Sequence, residues 1–154
     1  QQGPSASPEG TLVLRTYSRR FSELIRAGGA RPVLYMVWPS TSRRDDFDGV
    51  ALSYRDAARD VRGLLCPAGD AWRAAWKPDP GLALYSPDGL HPTPAGTYAA
   101  ALTFFDVLYR QSPVGLPDRI SLSAGATVAI PAAQARTLQE AAAEASKASA
   151  TANR

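Results

Sequence analysis

Residues 32–39 have the sequence Pro-Val-Leu-Tyr-Met-Val-Trp-Pro, an apolar run bracketed by two prolines. The run lacks the polar–apolar alternation of a strand with one face in water, so it is typical of a short central strand covered on both faces. Strands of this kind belong to parallel sheets, because the helices that connect parallel strands cover both faces. The run therefore predicts a parallel sheet flanked by helices.

Helix signals flank this strand on both sides. Upstream, Ser7 is a candidate N-cap, followed by a proline, and an apolar period of three to four residues continues until two glycines at 28–29. The apolar residues of that period, which we expect to be buried, are Leu14, Tyr17, Phe21, Leu24 and Ile25. Downstream, a second helical period spans 54–65, and a short strand is expected at about 65–68.

A third helix is expected after a long loop. Residues 78–89 are rich in Pro, Gly and Asp, and Thr93 is a further N-cap candidate before a helix that should end near Tyr109. The predicted buried face of this helix consists of Tyr98, Ala101, Leu102, Phe105 and Leu108. The alternation of helices and strands predicts the α/β class, as a three-layer parallel sheet flanked by helices.

The domain organisation follows from a shift in composition. We assign residues 1–117 to the α/β body and residues 118–147 to an extension that ends in an Ala-rich helix beginning near 132. Leu138 is the only large apolar residue of that helix, so loose packing on the body is expected. Residues 148–154 are expected to be a disordered tail.

Composition excludes several classes of protein. The 154 residues contain 17 basic and 14 acidic residues, which are mixed along the chain, so no basic stripe indicates a nucleic-acid partner. No apolar run approaches the roughly 20 residues that cross a bilayer, and no signal-peptide pattern is present.

The single cysteine, Cys66, lies in an apolar run and is expected to be a buried, inert thiol. The high Ala, Arg, Gly and Pro content is typical of a GC-rich bacterial gene, and no sequence signal assigns a compartment.

Asp88 and His91 form the most informative pair in the chain. His91 is the only histidine, and Asp88 precedes it by three residues. An imidazole carries protons near neutral pH, and a carboxylate on one ring nitrogen fixes the tautomer and stabilises the imidazolium. The pair therefore supplies two of the three parts of a hydrolase triad, although a His near an Asp is often only a hydrogen-bonded capping residue.

The surrounding residues carry a family resemblance. Residues 82–101, from Leu-Ala-Leu-Tyr-Ser-Pro-Asp-Gly-Leu-His-Pro to Tyr-Ala-Ala-Ala, resemble the last sequence block of the SGNH (GDSL-type) hydrolases, in which Asp-x-x-His-Pro precedes the final helix. The resemblance implies a flavodoxin-like α/β fold and ester hydrolysis by a serine nucleophile, without a cofactor. It assigns His91 as general base and acid and Asp88 as the residue that orients it.

The other blocks of that family are missing from this chain. No Gly-Asp-Ser, Gly-Asn-Ser or Gly-x-Asn-Asp occurs, and the chain does not begin with Met. The resemblance therefore implies that residues 1–117 correspond to the second half of the domain and that the nucleophile lies upstream of residue 1. On this mapping Gln1 or Gln2 is a candidate oxyanion or substrate donor in place of the family's Asn, with a capping or solvent role as the alternative.

Other candidate site residues are weaker. Trp38 lies at the end of the predicted strand and is either a pocket wall for substrate or a structural side chain. The loop serines Ser5, Ser40, Ser42 and Ser86 are not flanked by the glycines of a nucleophile elbow. No metal site is expected, since zinc needs at least three protein ligands and the chain has one His and one Cys.

These observations lead to two hypotheses. The first is an SGNH-type serine esterase that acts on a small-molecule, carbohydrate or lipid ester. The second is a non-catalytic α/β binding or structural module in which Asp88 and His91 only hold the loop to the next helix. Under either hypothesis a half-sheet would expose a strand edge, so self-association through that edge is expected.

Overall fold

The computed structural model describes residues 5–123 and 125–152. We number the helices and strands in chain order. The bounds are α1 Pro8–Ala27, β1 Val33–Tyr35, a 3₁₀ helix Thr41–Asp46, α2 Phe47–Asp60, β2 Leu64–Cys66, α3 Ala68–Trp76, α4 Pro94–Tyr109, β3 Arg119–Ser121, β4 Thr127–Ala129 and α5 Ala132–Ala152. The α/β class predicted from the sequence is confirmed.

The sheet is smaller than the sequence predicts. β1 and β2 are parallel, with Val33 opposite Leu64 and Tyr35 opposite Cys66. A separate antiparallel pair joins β3 and β4. Within the described residues each sheet has two strands, so a three-layer parallel sheet is not shown. The parallel pair nevertheless gives the fold a carboxyl edge, which lies just beyond Tyr35 and Cys66.

α1 has the predicted bounds but not the predicted burial. The Ser7 hydroxyl accepts a hydrogen bond from the Gly10 amide at 3.0 Å, and the helix ends at Ala27. Of its apolar period, Leu14 is buried, whereas Tyr17, Phe21 and Leu24 are exposed. The prediction of a fully buried face was wrong because α1 packs against α2 and a single strand edge, which is too narrow to cover the whole helix face.

α4 also has the predicted bounds and a different buried face. The Thr93 hydroxyl caps it by accepting from the Gly96 amide at 3.1 Å. Ala101 and Leu108, predicted to be buried, are exposed, and Phe105 is half-buried. The buried residues are Gly96, Tyr98, Ala99, Ala100, Leu102 and Thr103. The face is rotated because α3 and α5 pack on the small side chains, a contact that the local sequence of α4 does not reveal.

α5 is an integral part of the core rather than a loose extension. Leu138 is fully buried, and buried alanines on the same side let the helix approach α3 and α4 closely. The buried amide of Gln139 donates to the Tyr98 hydroxyl and to the Leu116 carbonyl, both at 2.8 Å. The helix continues to Ala152, so the prediction of disorder was wrong for residues 148–152.

Two apolar clusters meet at the parallel strands. One joins α1, α2 and the strands, and the other joins α3, α4 and α5 around Trp72. Tyr35 is half-buried and packs against both clusters. Cys66 of β2 is buried, as predicted, and burial raises the pKa of its thiol to about 12. No helix in the described ranges is long and apolar enough to cross a membrane.

Candidate functional site

The loop before α4 closes on itself. The Ser86 amide donates to the His91 carbonyl at 2.8 Å, and the Gly89 amide donates to the Ser86 carbonyl at 2.9 Å. Gly89 has φ +69°, a left-handed conformation that residues with a Cβ rarely adopt. These bonds bring the ends of the loop together, so Asp88 and His91 lie on one compact turn just before the Thr93 cap.

Asp88 uses both carboxylate oxygens within this turn. One oxygen, Oδ1, accepts from the Leu90 and His91 amides, each at 2.9 Å, and the other, Oδ2, lies 2.6 Å from Nδ1 of the His91 ring. The hydrogen bond from the His91 ring, followed by the two backbone bonds, lowers the pKa of Asp88 to about 2. Asp88 is thus ionised at neutral pH, and it favours the tautomer with the proton on Nδ1 and leaves Nε2 as the acceptor.

Contacts from the carboxyl end of β1 anchor the turn. Trp38 Nε1 donates to the Leu90 carbonyl at 3.0 Å, and the Thr41 amide donates to the Gly89 carbonyl at 2.8 Å. The Trp38 ring is stacked on Trp72, with centroids 3.6 Å apart and planes 14° apart. Because Trp72 is fully buried, the stack connects the turn to the core of the protein. The His91 backbone is therefore positioned by β1 as well as by α4.

A cavity of about 470 Å³ adjoins His91 at this end of β1. Its apolar wall includes Tyr35, Val37 and Trp38, and its polar lining includes Ser40 and Arg43. The position agrees with the general rule that sites in open α/β sheets form beyond the carboxyl ends of parallel strands. The cavity can hold a small organic group beside the imidazole.

The pair remains open to solvent in the described part of the protein. The side chains of His91 and Asp88 are 73% and 50% exposed. Water screens charges at such exposure, so Asp88 stabilises a charged imidazole less here than it would in a site closed to solvent. Among residues 5–123 and 125–152, the hydrogen-bond partner of the imidazole is Asp88, and no serine hydroxyl bonds to it. No group of three or more potential metal ligands occurs within the same ranges.

The structure sorts the predicted site residues into three groups. Asp88 and His91 are brought into direct contact, and Trp38 lies beside them, with its ring on the cavity and its N–H engaged by Leu90. Trp38 is therefore both a wall and a positioning group, and its N–H is not free for an oxyanion. Gln1 and Gln2 lie outside the described residues.

Sequence reasoning missed the charged groups of the 3₁₀ helix. Arg43 and Asp46 form an ion pair of 2.5 Å on the cavity lining, and Arg44 lies over the rings of Trp76 and Tyr85, at 4.6 and 5.5 Å from their centroids. In the sequence these residues indicated only a mixture of charges in a loop. The sequence did offer one signal for these residues, because their loop directly follows β1 and sites are expected at the carboxyl ends of parallel strands.

Comparisons with known proteins give one structural likeness. No family model matches the chain. No curated protein matches it either. A crystal structure of a DUF4886 family protein from Bacteroides uniformis ATCC 8492 has a similar fold, with a TM-score of 0.66 at 18% sequence identity. The match covers 88% of this chain and 57% of the other. At this identity the likeness concerns the fold alone, and the chain spans a little over half the length of that protein.

Proposed function

We propose that this chain carries the histidine–aspartate half of an SGNH-type serine esterase. The observation that carries the proposal is the 2.6 Å contact between Asp88 Oδ2 and His91 Nδ1, in a turn fixed to the carboxyl end of β1 and next to a cavity. A carboxylate, an imidazole and an adjoining cavity in this order have the geometry that general base catalysis requires. The finer fold assignment, a three-layer sheet completed by further strands, belongs to the same proposal.

His91 would transfer one proton in each of the two halves of the reaction. Its Nε2 takes the proton of a serine hydroxyl as the oxygen attacks the ester carbonyl, and Asp88 stabilises the resulting imidazolium. The tetrahedral intermediate then breaks its bond to the alcohol oxygen, which receives that proton from Nε2 and leaves an acyl-enzyme. Water repeats the sequence, with His91 again as base and then acid, and releases the carboxylic acid and free serine.

The nucleophile is proposed to lie upstream of residue 1. Within the described residues, Ser86 donates its hydroxyl proton to the Pro92 carbonyl at 2.9 Å, and Ser40 lines the cavity without bonding to His91. Neither arrangement activates a serine, because the imidazole must be within reach of the hydroxyl. The substrate class is an ester of a small molecule, carbohydrate or lipid, and the mechanism uses no cofactor.

Fluorophosphonate labelling tests the proposal. The protein extended upstream to its natural start is treated with the probe, and adducts are mapped by peptide mass spectrometry. We expect an adduct on a serine upstream of residue 1, a loss of labelling in His91→Ala, and a fall in turnover of an ester on the order of 10⁴-fold in Asp88→Asn. No adduct on a folded protein would contradict the esterase proposal, and an adduct within residues 5–152 would contradict the placement of the nucleophile.

Asp79→Asn is the matched control. Asp79 also accepts a backbone amide two residues on, from Gly81 at 3.1 Å, and it lies in the same long loop, but it does not contact His91. We expect its labelling and turnover to equal those of the unaltered protein. If Asp79→Asn and Asp88→Asn impair the protein equally, loop stability rather than proton transfer explains the loss.

A structural role for the same pair is the second candidate. It is favoured by one observation, that Asp88 Oδ1 already accepts two backbone amides of its own turn. Asp is well suited to such turns without any catalytic role. Under this alternative, Asp88→Asn weakens the turn slightly, and no serine of the extended protein reacts with the probe.

A further inference from the structure

An open groove lies at the end of the parallel strands opposite to His91 and has a volume of about 1060 Å³. It is lined by Gly63 and Leu64 at the start of β2, together with the C-terminal parts of α4 and α5. Its charged lining includes four arginines, which are Arg31, Arg59, Arg62 and Arg110. We call it the arginine groove. The arginines come from three separate stretches of the sequence, so only the fold brings them together.

The arginine groove has an excess of positive charge. Asp106 is the one acidic residue among its described lining residues, and burial raises the pKa of that carboxyl. Arg59 pairs with Asp56 at 2.8 Å. In the part of the chain that the structure describes, the other three arginines are exposed and form no ion pair with a carboxylate. Three guanidinium groups are therefore available to an anion.

Two of these three arginines have a backbone conformation that favours glycine. Arg62 has φ +46° and Arg110 has φ +55°, and no other described residue apart from glycine has a positive φ. Glycine adopts this conformation without strain and is common at the position that follows a helix. An arginine at these positions supplies a guanidinium group together with backbone strain that glycine would avoid. Such strain is frequent at ligand-binding sites.

The helix ends beside the groove are closed without these guanidinium groups. After α2, the Gly63 amide donates to the Ala58 carbonyl at 2.9 Å, and Arg26, which does not line the groove, donates to the Val61 carbonyl at 2.5 Å. After α4, the backbone amide of Arg110 makes the closing bond, at 2.8 Å. A capping role therefore does not account for the arginine side chains that line the groove.

We propose that the arginine groove binds a small soluble molecule through its phosphoryl groups. The guanidinium group has a planar fork of N–H donors that matches two oxygens of a phosphate, and several cations match the double negative charge of a phosphoryl group. The volume is similar to that of sites for small organic ligands. Gln111 and Ser112 also line the groove and are suited to bond polar groups in the rest of the ligand. Because Asp88 and His91 lie at the other end of the strands, the inference does not depend on the esterase proposal.

Titration calorimetry with inorganic pyrophosphate tests the proposal in the full-length protein. We expect Arg62→Gly and Arg110→Gly each to weaken binding on the order of 10-fold, because each removes charge-assisted hydrogen bonds. Their melting temperatures should not fall, because glycine is favoured at a positive φ. Asp106→Asn should strengthen binding by roughly 2- to 3-fold, because it removes a like charge from the groove.

Arg136→Gln is the matched control for net charge. Arg136 lies on α5, is 74% exposed and does not line the groove. It removes one positive charge, as the groove variants do, and should leave pyrophosphate binding unchanged. Equal weakening in Arg136→Gln and Arg62→Gly would mean that net charge alone attracts the probe, which would overturn the proposal.

Three further outcomes would overturn it. The first is no binding of pyrophosphate at millimolar concentration. The second is a fall in melting temperature in Arg62→Gly and Arg110→Gly with unchanged binding, which would assign the arginines to the negative ends of the helix dipoles. The third is cosedimentation with vesicles of phosphatidic acid and phosphatidylcholine that pyrophosphate does not compete with, which would assign the groove to a membrane surface.

Discussion

Trp38 and Leu90 are 52 residues apart and are joined by a hydrogen bond of 3.0 Å from the indole Nε1 to the backbone carbonyl. The bond connects the segment after β1 to the turn that carries His91. The hydrogen bond is partly buried, and Trp38, which donates it, is 8% exposed. The position of the histidine thus depends on a strand that is distant in sequence.

Replacing Trp38 by Phe should loosen the turn while leaving an aromatic ring against Trp72. The Leu90 carbonyl loses its indole donor, which should lower the free energy of unfolding by about 1–2 kcal/mol and speed hydrogen exchange at the His91 amide. Urea denaturation and exchange measured by NMR check this. Trp76→Phe, which removes a 2.9 Å bond to the Leu82 carbonyl, should reduce stability without altering exchange at His91. Equal exchange changes in both variants would contradict a local role for Trp38.

Gly89 is required by both its backbone and its surroundings. At φ +69° a side chain is strained, and a Cβ would overlap the Thr41 hydroxyl. Gly89→Ala should lower the melting temperature and displace the Asp88–His91 contact, at a cost of more than the ~1 kcal/mol of strain alone. Gly115→Ala separates the two effects, because Gly115 has φ +91° and open space around its Cβ position. Equal losses of stability would show that the overlap with Thr41 contributes nothing.

The contribution of the Asp88–His91 contact to stability should change with pH in the acid range. Asp88 has a folded-state pKa of about 2, below its ordinary value of 3.8. Its stabilising contribution is therefore present above the ordinary value and is lost as the pH falls through about 2. Carbon-13 NMR of the Asp carboxyl should give a midpoint near 2, which rises toward 3.8 in His91→Ala without reaching it, because the two backbone bonds remain. An unchanged midpoint in His91→Ala would contradict the dominant effect of the imidazole.

Gln139 tests whether α5 belongs to the folding unit. Its amide donates to Tyr98 and Leu116, and its oxygen accepts from the Gly115 amide at 2.8 Å. Gln139→Ala removes three hydrogen bonds of a buried side chain, although Tyr98 keeps its bond to the Pro117 carbonyl, so stability should fall by about 1–3 kcal/mol in one cooperative transition. Glu140→Ala removes only an exposed pair with Arg136 and should cost at most about 1 kcal/mol. A small effect of Gln139→Ala, or a separate transition, would indicate that α5 is an independent appendage.

Cys66 should behave as an inert thiol until the protein unfolds. It is buried, and with a pKa of about 12 almost none of it is thiolate at pH 8. Ellman's reagent should therefore leave the native protein unmodified over hours and react fully with one thiol in guanidinium chloride. Rapid reaction of the native protein would show that β2 opens locally.

Local sequence signals predicted the bounds of α1 and α4 well, but not those of α2, which spans Phe47–Asp60 and not 54–65, and they did not predict α3. Ser7 and Thr93 cap their helices through their own hydroxyls, and Ala27 and Tyr109 end them where the sequence indicated. Caps and turns involve residues three or four positions apart, so a short stretch of sequence contains both partners. The contact between Asp88 and His91 is local in the same sense, and the sequence therefore predicted it correctly.

Burial could not be predicted in the same way. Phe21 has the spacing of a core residue and is exposed, because α1 packs mainly on α2 and nothing in the described residues covers this part of its apolar face. Ala99 and Ala100 are buried in place of Ala101 and Leu108 because α5, more than 30 residues away in sequence, packs on that side of α4. Whether a helix face is buried depends on which element packs against it, whereas the periodicity of the sequence shows only that the face is apolar.

The sequence by itself determined the capped helices, the apolar strand and the turn that joins Asp88 to His91, since each depends on neighbouring residues. Only the tertiary structure decided that Trp38 holds the turn, that α5 is part of the core and that one edge of β1 has no partner strand among the described residues. Each of these depends on surfaces that are remote in sequence and meet only when the chain is folded. Their stability comes from packing and hydrogen bonds between those surfaces, which no local pattern encodes.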